Sequence, residues 1–399
     1  MKILVLSNKM PYPPKDGGSI ASMNIILGLS QMGHDVHCLA MNTNKHPFPS
    51  SAVPEHIRAL IHLETVSINT DLHPLGIIWN IFFSRQAYNA VRFRKKAFRR
   101  KLKDLLNRET FDLVQLEGPY PGYYLKTIRK YSKAKIALRA HNVEYLIWQQ
   151  KARHTEKTIE RLYLRILSRR LRKWETEIVN ACDLLVPISP VDEACFRKTG
   201  FGGPALTIAT GLSIEDYPLS PLPEGREIFF IGALDWLPNQ EGIRWFIEKV
   251  FRGLTERIPE LLFHIAGRNA PPSFVEKLQH KNIRFHGEIE NAQAFMRDHS
   301  IMIAPLLTGS GIRIKILEAL AMGRPVLTTS KGAEGIDARH EKELLIADTP
   351  EDFGQQCLKL IENRELCLSI AEKGRVLVRE KFDTFALSTR LSRFYETQA

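Results

Sequence analysis

Short apolar runs alternate with longer amphipathic stretches along the whole chain. In the first half the runs are KILVLS, DVHCLAM, HLETVSI, DLVQLE, KIALRA and DLLVPIS. In the second half they are EIFFIGA, LLFHIAG, IRFHG, IMIAPL, PVLTT and ELLIA. A short continuous apolar run predicts a strand buried on both faces, and most of the intervening stretches carry the apolar spacing of helices. Strand and helix in turn predict β-α-β units and parallel sheets, so the expected class is α/β with two doubly wound domains. Glycine and proline concentrate between Gly200 and Pro223, which marks a boundary. The expected domains are residues 1–205 and 206–380, followed by a last helix over about 381–399 that contains FALSTRLSRFYETQA.

Composition narrows the class. With 44% hydrophobic and 25% charged residues over 399 positions, the sequence predicts a soluble globular protein with a large core. Five cysteines (Cys38, Cys182, Cys195, Cys357, Cys367) form no C-x-x-C pair and no His-Cys cluster at metal spacing. The expectation is therefore a reducing cytoplasm, with no disulfide framework and no metal. MKILVLSNKMPYPPKDGG has too short an apolar segment for a signal peptide and ends in a turn-rich loop. The apolar patch PLGIIWNIFF, Pro74 to Phe83, is about half the ~20 residues a spanning helix needs, so no transmembrane anchor is expected.

The net charge of +12 is unevenly placed. Arg85 to Arg108 holds ten Lys and Arg against one Asp, and Lys151 to Lys173 holds nine against two Glu. These two segments exceed the whole chain's excess, so the basicity marks one surface of the first half. In AVRFRKKAFRRKLKDLL, Val91, Ala97, Phe98, Leu102, Leu105 and Leu106 recur near helical spacing with Arg94, Lys95, Lys96, Arg99 and Arg100 among them. Such a basic amphipathic helix admits two readings: a solvated face over an ordinary core stripe, or a surface for an anionic membrane or lipid phosphate. Nucleic acid is not expected, since no helix-turn-helix, zinc-finger or stacking-platform pattern accompanies the charge.

In open α/β sheets ligands gather at the carboxyl ends of the strands, so the loops after strands are where chemistry is sought. After KILVLSNK, Gly17 and Gly18 precede an apolar-periodic helix, a pattern that fits either an anion cradle or a plain loop-to-helix turn. His141 is the first residue past KIALRA, at the rim, as a proton-handling group or a satisfied strand-end histidine. Gly232 follows EIFFI, with the Pro238-Asn239 turn behind it. The densest stretch is TGSGIRIKILEALAMGRPV, Thr308 to Val326. There a glycine loop (Gly309, Ser310, Gly311) joins a strand to a helix that stops at Gly323. Arg313 and Lys315 bring the positive charge a diphosphate requires. Glu318, three residues past Lys315 on the same helix face, suits a hydroxyl pair such as a ribose diol, or simply pairs with Lys315 on an ordinary helix surface.

GSGIRIKILEALAMGRPV resembles the motif G-x-G-x-R-x-K-x-x-E-A-x-A-x-G-x-P-V of the family 4 glycosyltransferases of GT-B fold, in their bacterial polysaccharide sugar transferase branch. The resemblance extends through PYPPKDGGS, FDLVQLEGP, HNVEYLIW, IGALDWLPNQEG, FHIAGR, FHGEIEN, IMIAPL and GAEGI, which together cover most of the chain. It implies two Rossmann-like domains facing a central cleft, the first binding acceptor and the second nucleotide-sugar. It implies a cytoplasmic enzyme moving a sugar from a nucleotide diphosphate donor with retention of configuration, with no cofactor and no bound metal. Glu318 takes the position of the family's ribose-binding glutamate, and Gly309, Gly311, Arg313 and Lys315 match its diphosphate-holding residues. His141 matches a histidine near the reacting centre, and Gly17 and Gly18 a loop closing over the diphosphate. The last helix is expected to pack back on the first domain. The acceptor implied is a glycan or polyprenyl-diphosphate-linked glycan, with peripheral contact at the inner face of the plasma membrane.

Two positions depart from the pattern. The first glutamate of the family's pair is Ser310 here, and Ala233 stands where an arginine usually grips the diphosphate. These departures sustain a second reading, a catalytically silent GT-B protein that binds nucleotide or glycan in a polysaccharide assembly. A nicotinamide-dependent dehydrogenase is disfavoured, because no G-x-G-x-x-G follows the first strand.

Overall fold

The computed structural model describes residues 1–14, 17–44, 47–71, 79–80, 84, 86–155, 157–225, 227–309 and 311–398. Ser310 and most of PLGIIWNIFF lie outside the described residues. The chain forms two compact units: Met1–Gly211 together with Thr384–Ala399, and Leu212–Asp383. The division thus falls at 211/212 and returns at 383/384, against the 205/206 and 380/381 read from the sequence.

The first unit is built on β1 (Lys2–Ser7), β2 (Asp35–Thr43), β3 (His62–Ile68), β4 (Leu113–Glu117), β5 (Lys135–Ala140) and β6 (Leu184–Pro187). They lie in the order β3-β2-β1-β4-β5-β6, all parallel. The strands read as unbroken apolar runs because each face is covered. Leu4, Leu6, Leu39, Met41, Val114 and Leu116 enter one buried cluster, while Ile3, Val5, Val36, Cys38 and Leu113 enter another on the opposite face, the two-residue alternation of a strand.

The helix Thr384–Gln398 completes the second of these faces. Tyr395 is fully buried there and its hydroxyl donates to Gln115 Oε1 at 2.7 Å. Gly28, on the helix Gly17–Gln31, lets the two helices meet, since a Cβ at that position would lie 1.9 Å from Ser388 Oγ.

The second unit repeats the plan with β7 (Glu227–Ile231), β8 (Leu262–Ala266), β9 (Ile283–Gly287), β10 (Ile301–Ala304), β11 (Val326–Thr328) and β12 (Leu345–Ile346). The order is β12-β11-β10-β7-β8-β9, again parallel. The twelve apolar runs of the sequence are the twelve strands among the described residues. In each sheet the strand order reverses at one point, between β1 and β4 in the first unit and between β7 and β10 in the second, and there the loops at the strand ends splay apart.

The basic helix differs from the sequence pattern in extent and use. A short helix, Tyr88–Val91, is followed by a break in which Lys95 is extended, and the long helix runs Lys96–Arg108. Val91 therefore falls outside it and Ala97 is exposed, while Phe98, Leu102, Leu105 and Leu106 are buried in the core. The apolar face is thus consumed by the fold. Arg94, Lys96, Arg99 and Arg100 remain on the surface and Lys95 is half-buried. Exposed apolar side chains appear instead in the second basic segment, where the helix Thr158–Ala181 leaves Ile159 87% and Leu162 59% exposed. No described helix is long and apolar enough to cross a membrane.

Gly242, on the helix Leu237–Phe246, lies against the loop after β10: a Cβ there would sit 2.1 Å from the carbonyl oxygen of Pro305. Backbone cannot yield as a side chain can, so Gly242→Ala is expected to destabilise the protein by about 1–3 kcal/mol, read as a lower denaturation midpoint in urea.

Candidate functional site

In the second unit the chain leaves β10 at Ala304 and enters the helix Ile314–Ala321, with Arg313 at its N-cap. Gly309 and Gly311 turn the loop with φ of +100° and +83°, values that side chains tolerate poorly. At Gly309 a Cβ would also come within 3.0 Å of Arg313 Nη2 and of the Trp236 indole. The loop thereby lies against a stacked pair, the Arg313 guanidinium 5.2 Å from the Trp236 ring centroid. Burial lowers the Arg313 pKa to about 10, with Glu334 opposing, so the side chain stays cationic at neutral pH.

Lys315 points at the same corner. Its Nζ donates to Asn239 Oδ1 at 2.8 Å and lies 3.9 Å from the Phe230 ring centroid. The Asn239 side chain is oriented by its own Nδ2, which donates to the Ala233 carbonyl at 2.7 Å. Gly232 leaves room for this contact, because a Cβ there would lie 3.1 Å from Asn239 Nδ2 and 3.2 Å from Lys315 Nζ. Burial, and then Arg313, lower the lysine pKa well below its ordinary value. Among the described residues no carboxylate lies within ion-pairing distance of Lys315. A lysine held by a neutral amide beside a guanidinium is disfavoured as an ammonium, and a bound anion would restore the charged form.

Glu318 accepts from the Tyr217 hydroxyl at 2.9 Å. Burial raises its pKa, and the tyrosine's hydrogen bond opposes the rise. The helix-surface pairing of Lys315 with Glu318 considered from spacing does not form: each has a different partner. The loop thus offers cations at the helix start and a carboxylate one turn on.

In the first unit the strand ends carry a buried ion network. Glu117 ends β4 and faces Arg139 of β5 in register. Its Oε2 accepts from Arg139 Nη1 at 3.2 Å, from Ser22 Oγ at 2.6 Å and from His141 Nε2 at 2.6 Å. Burial pushes the carboxyl pKa up, but Arg139 and His141 outweigh it and hold Glu117 far below the usual carboxylate range. For His141 burial dominates and lowers its pKa, while Glu117 opposes. The imidazole is therefore neutral at pH 7. Its contact with an ionised carboxylate places the proton on Nε2 and leaves Nδ1 as the acceptor.

Gly17 and Gly18 begin the helix Gly17–Gln31 that supplies Ser22. The cations Arg94 to Arg100 are not part of this group; the helix Lys96–Arg108 packs on β3 and the helix Leu125–Tyr131.

Several of these partners carry no role in the sequence reading: Glu117, Arg139, Ser22, Trp236, Asn239 and Tyr217. One sign was legible. DLVQLE and KIALRA each end in a charged residue inside an otherwise buried strand, and adjacent strands can neutralise such charges only by pairing them. Tyr217 and Trp236 stand in loops, where no periodicity reveals a contact.

Two parallel-sheet units of this topology, each with its polar groups at the strand carboxyl edge, define the GT-B class of glycosyltransferases. Residues 16–215 match the description Glycosyltransferase Family 4 and residues 225–363 match Glycosyl transferases group 1. The chain belongs to the family 4 glycosyltransferases and is a glycosyltransferase enzyme. It is 24% identical over 393 residues, 96% of this chain and 97% of the other, to an uncharacterized 44.6 kDa protein in the cps region of Klebsiella pneumoniae. It is 24% identical over 62% of its length, and 66% of the relative's, to phosphatidyl-myo-inositol mannosyltransferase of Mycobacterium leprae. Among solved structures it resembles sucrose-phosphate synthase from Thermosynechococcus elongatus, with a TM-score of 0.74, 16% identity and 100% and 99% of the two chains covered. It also resembles Anabaena HepE in complex with UDP and glucose, with a TM-score of 0.69, 12% identity and both chains fully covered.

The charge network fixes two pH effects. Glu117 raises the His141 pKa, so Glu117→Gln is expected to move the His141 titration seen by NMR to lower pH; movement upward would contradict the network. Because the folded pKa of His141 lies below its unfolded value of ~6.5, its contribution to stability is present above that pH. The contribution is lost as pH falls through ~6.5 toward the folded value.

Proposed function

We propose that the protein is a retaining glycosyltransferase that transfers a sugar from a nucleotide diphosphate sugar, without a donor-site metal, to a glycan or lipid-linked acceptor in cell-surface polysaccharide synthesis. The observation that carries the donor half is the loop after β10. Glycine turns and the cations Arg313 and Lys315 suit a diphosphate, and the carboxylate of Glu318, one turn along, suits the ribose hydroxyls. Arg313 and Lys315 supply from this side the charge that Ala233 does not supply from the loop after β7. UDP and glucose bound to the structurally similar HepE, and the mannosyltransferase relative, support the same donor class. Neutral His141, held by Glu117, is the group assigned to the sugar under transfer, with Nδ1 as its free acceptor.

The acceptor half rests on charge. The exposed cations Arg94, Lys96, Arg99 and Arg100, with Lys95, and the solvent-facing Ile159 and Leu162 among further cations, suit peripheral contact with an anionic inner membrane face. The apolar share of such contact falls to Ile159 and Leu162, since the apolar face of the helix Lys96–Arg108 is in the core.

Thermal unfolding with UDP, GDP, ADP and their sugar conjugates, with chelator present, tests the donor site. A ligand at about 100 times its dissociation constant adds roughly 2.7 kcal/mol, and the unfolding midpoint should rise by several degrees with one base only. The rise should disappear in Glu318→Ala and in the Arg313→Ala, Lys315→Ala double variant. A double variant that binds as tightly as the wild type would remove these cations from the donor site, and no rise with any nucleotide would favour the catalytically silent binding partner. For the membrane, binding to vesicles of anionic lipid should fall steeply with salt and be lost when Arg94, Lys95, Lys96, Arg99 and Arg100 are neutralised. Salt-independent binding contradicts the electrostatic reading.

A further inference from the structure

The first sheet carries a second group of polar side chains at its opposite edge, where β2 and β3 begin. Asp35 and His37 are two residues apart on β2 and therefore share a face, and His62, the first residue of β3, is the register partner of His37. Asp35 Oδ1 lies 3.3 Å from His37 Nε2 and 3.4 Å from His62 Nε2, and the ligand atoms of all three lie within 4.8 Å of one another. Four ligands at about 2.0–2.1 Å from a tetrahedral ion are about 3.3–3.4 Å apart, so the carboxylate stands from each imidazole at the separation a shared metal imposes. The buried His37 Nε2 has Asp35 Oδ1 beside it and no better hydrogen-bond partner among the described residues.

From this geometry we infer that Asp35, His37 and His62 bind a divalent first-row transition ion of the zinc class through Oδ1 and the two Nε2 atoms. Two imidazoles and a carboxylate exclude the hard, all-oxygen preference of magnesium and calcium and suit zinc, cobalt or nickel. The other carboxylate oxygen, Oδ2, is held by Lys2 Nζ at 3.3 Å, and that ammonium is itself balanced by Glu109 Oε2 at 2.8 Å. Oδ1 is thereby left to the histidine side. The fourth position has room, because His37 and His62 line a hollow of roughly 350 Å³ with Glu64, Leu105, Arg108 and Glu109. The ion would tie the start of β2 to the start of β3, the edge strand. It lies at the end of the first sheet opposite Glu117 and His141 and shares no residue with the proposed donor site. The sequence hides the site because its ligands come from two strands separated by a helix.

The described residues also include His264, His286 and His299 within 4.8 Å of one another. There His264 Nδ1 and His286 Nε2 are 3.0 Å apart, and His299 Nδ1 bonds the Phe295 carbonyl at 2.7 Å. That group is held in part by these hydrogen bonds, although His264 Nε2 is likewise buried without a partner, and it serves as the internal comparison.

The test titrates the full, metal-stripped chain, free of any histidine tag, with Co²⁺ and then Zn²⁺. One equivalent of Co²⁺ should give the intense visible d–d bands of a tetrahedral site, displaced by Zn²⁺. Asp35→Asn and His62→Gln should each weaken binding by more than the roughly 10- to 100-fold that loss of an outer-shell partner costs. The His62 side chain is 67% exposed, so its variant should keep the wild-type unfolding midpoint without metal, which separates loss of a ligand from loss of the fold. Absence of saturable binding, bands unchanged in both variants, or bands lost only in His264→Gln or His286→Gln would overturn the assignment.

Discussion

A parallel sheet buried on both faces has almost nowhere to put a charge. In each unit the central strands are apolar on both sides, and ionised groups there must sit at strand ends or find a partner inside. Glu117 meets this constraint inside: it is 2% exposed and remains ionised because Arg139, in register on the neighbouring strand, and His141 past the strand end surround it. Ser22 links the same carboxylate to the helix Gly17–Gln31, so one charge holds two strands, a helix and the His141 imidazole in a single geometry. An ionised carboxylate at 2.6 Å also dictates the histidine tautomer, which no amount of apolar packing could do.

The second unit gathers like charges at its strand ends instead. Lys315 is kept near Arg313 with an amide, a guanidinium and two aromatic rings for company. A cluster of this kind gathers positive charge that an anion would balance. Gly232 and Gly309 belong to this arrangement as spacers: one clears the lysine and asparagine, the other clears the arginine and tryptophan.

The strand content was legible in the sequence because it is written as runs, and a run survives any error of a residue or two at its ends. The helix at Lys96–Arg108 was legible as a helix but not in its extent. Arg92, Phe93 and Arg94 keep roughly helical spacing, whereas the backbone extends at Lys95, where the Tyr124 hydroxyl captures the amide and carbonyl groups. Of the site, Arg313, Lys315 and Glu318 were visible since one glycine-flanked segment carries them all. Tyr217 and Trp236 were not visible, being contributed by loops about 100 and 77 positions away, and tertiary proximity of that kind leaves no periodic trace. The Asp35, His37 and His62 group was hidden by the same distance effect, even though strand alternation and register fully account for it.

The last helix has a consequence for synthesis. Thr384–Gln398 fills a face of the first unit's core with Leu387, Leu391 and Tyr395, yet it is made after the whole of the second unit. Residues 1–211 therefore emerge with that face uncovered and Gln115 Oε1 without the Tyr395 hydroxyl, while the contiguous second unit has every strand it needs by Asp383. On the ribosome the order of completion is inverted: the later-made unit closes first, and the earlier one waits for the helix Thr384–Gln398. A nascent first unit is thus the species with apolar surface to shield, for as long as translation of the remaining half takes.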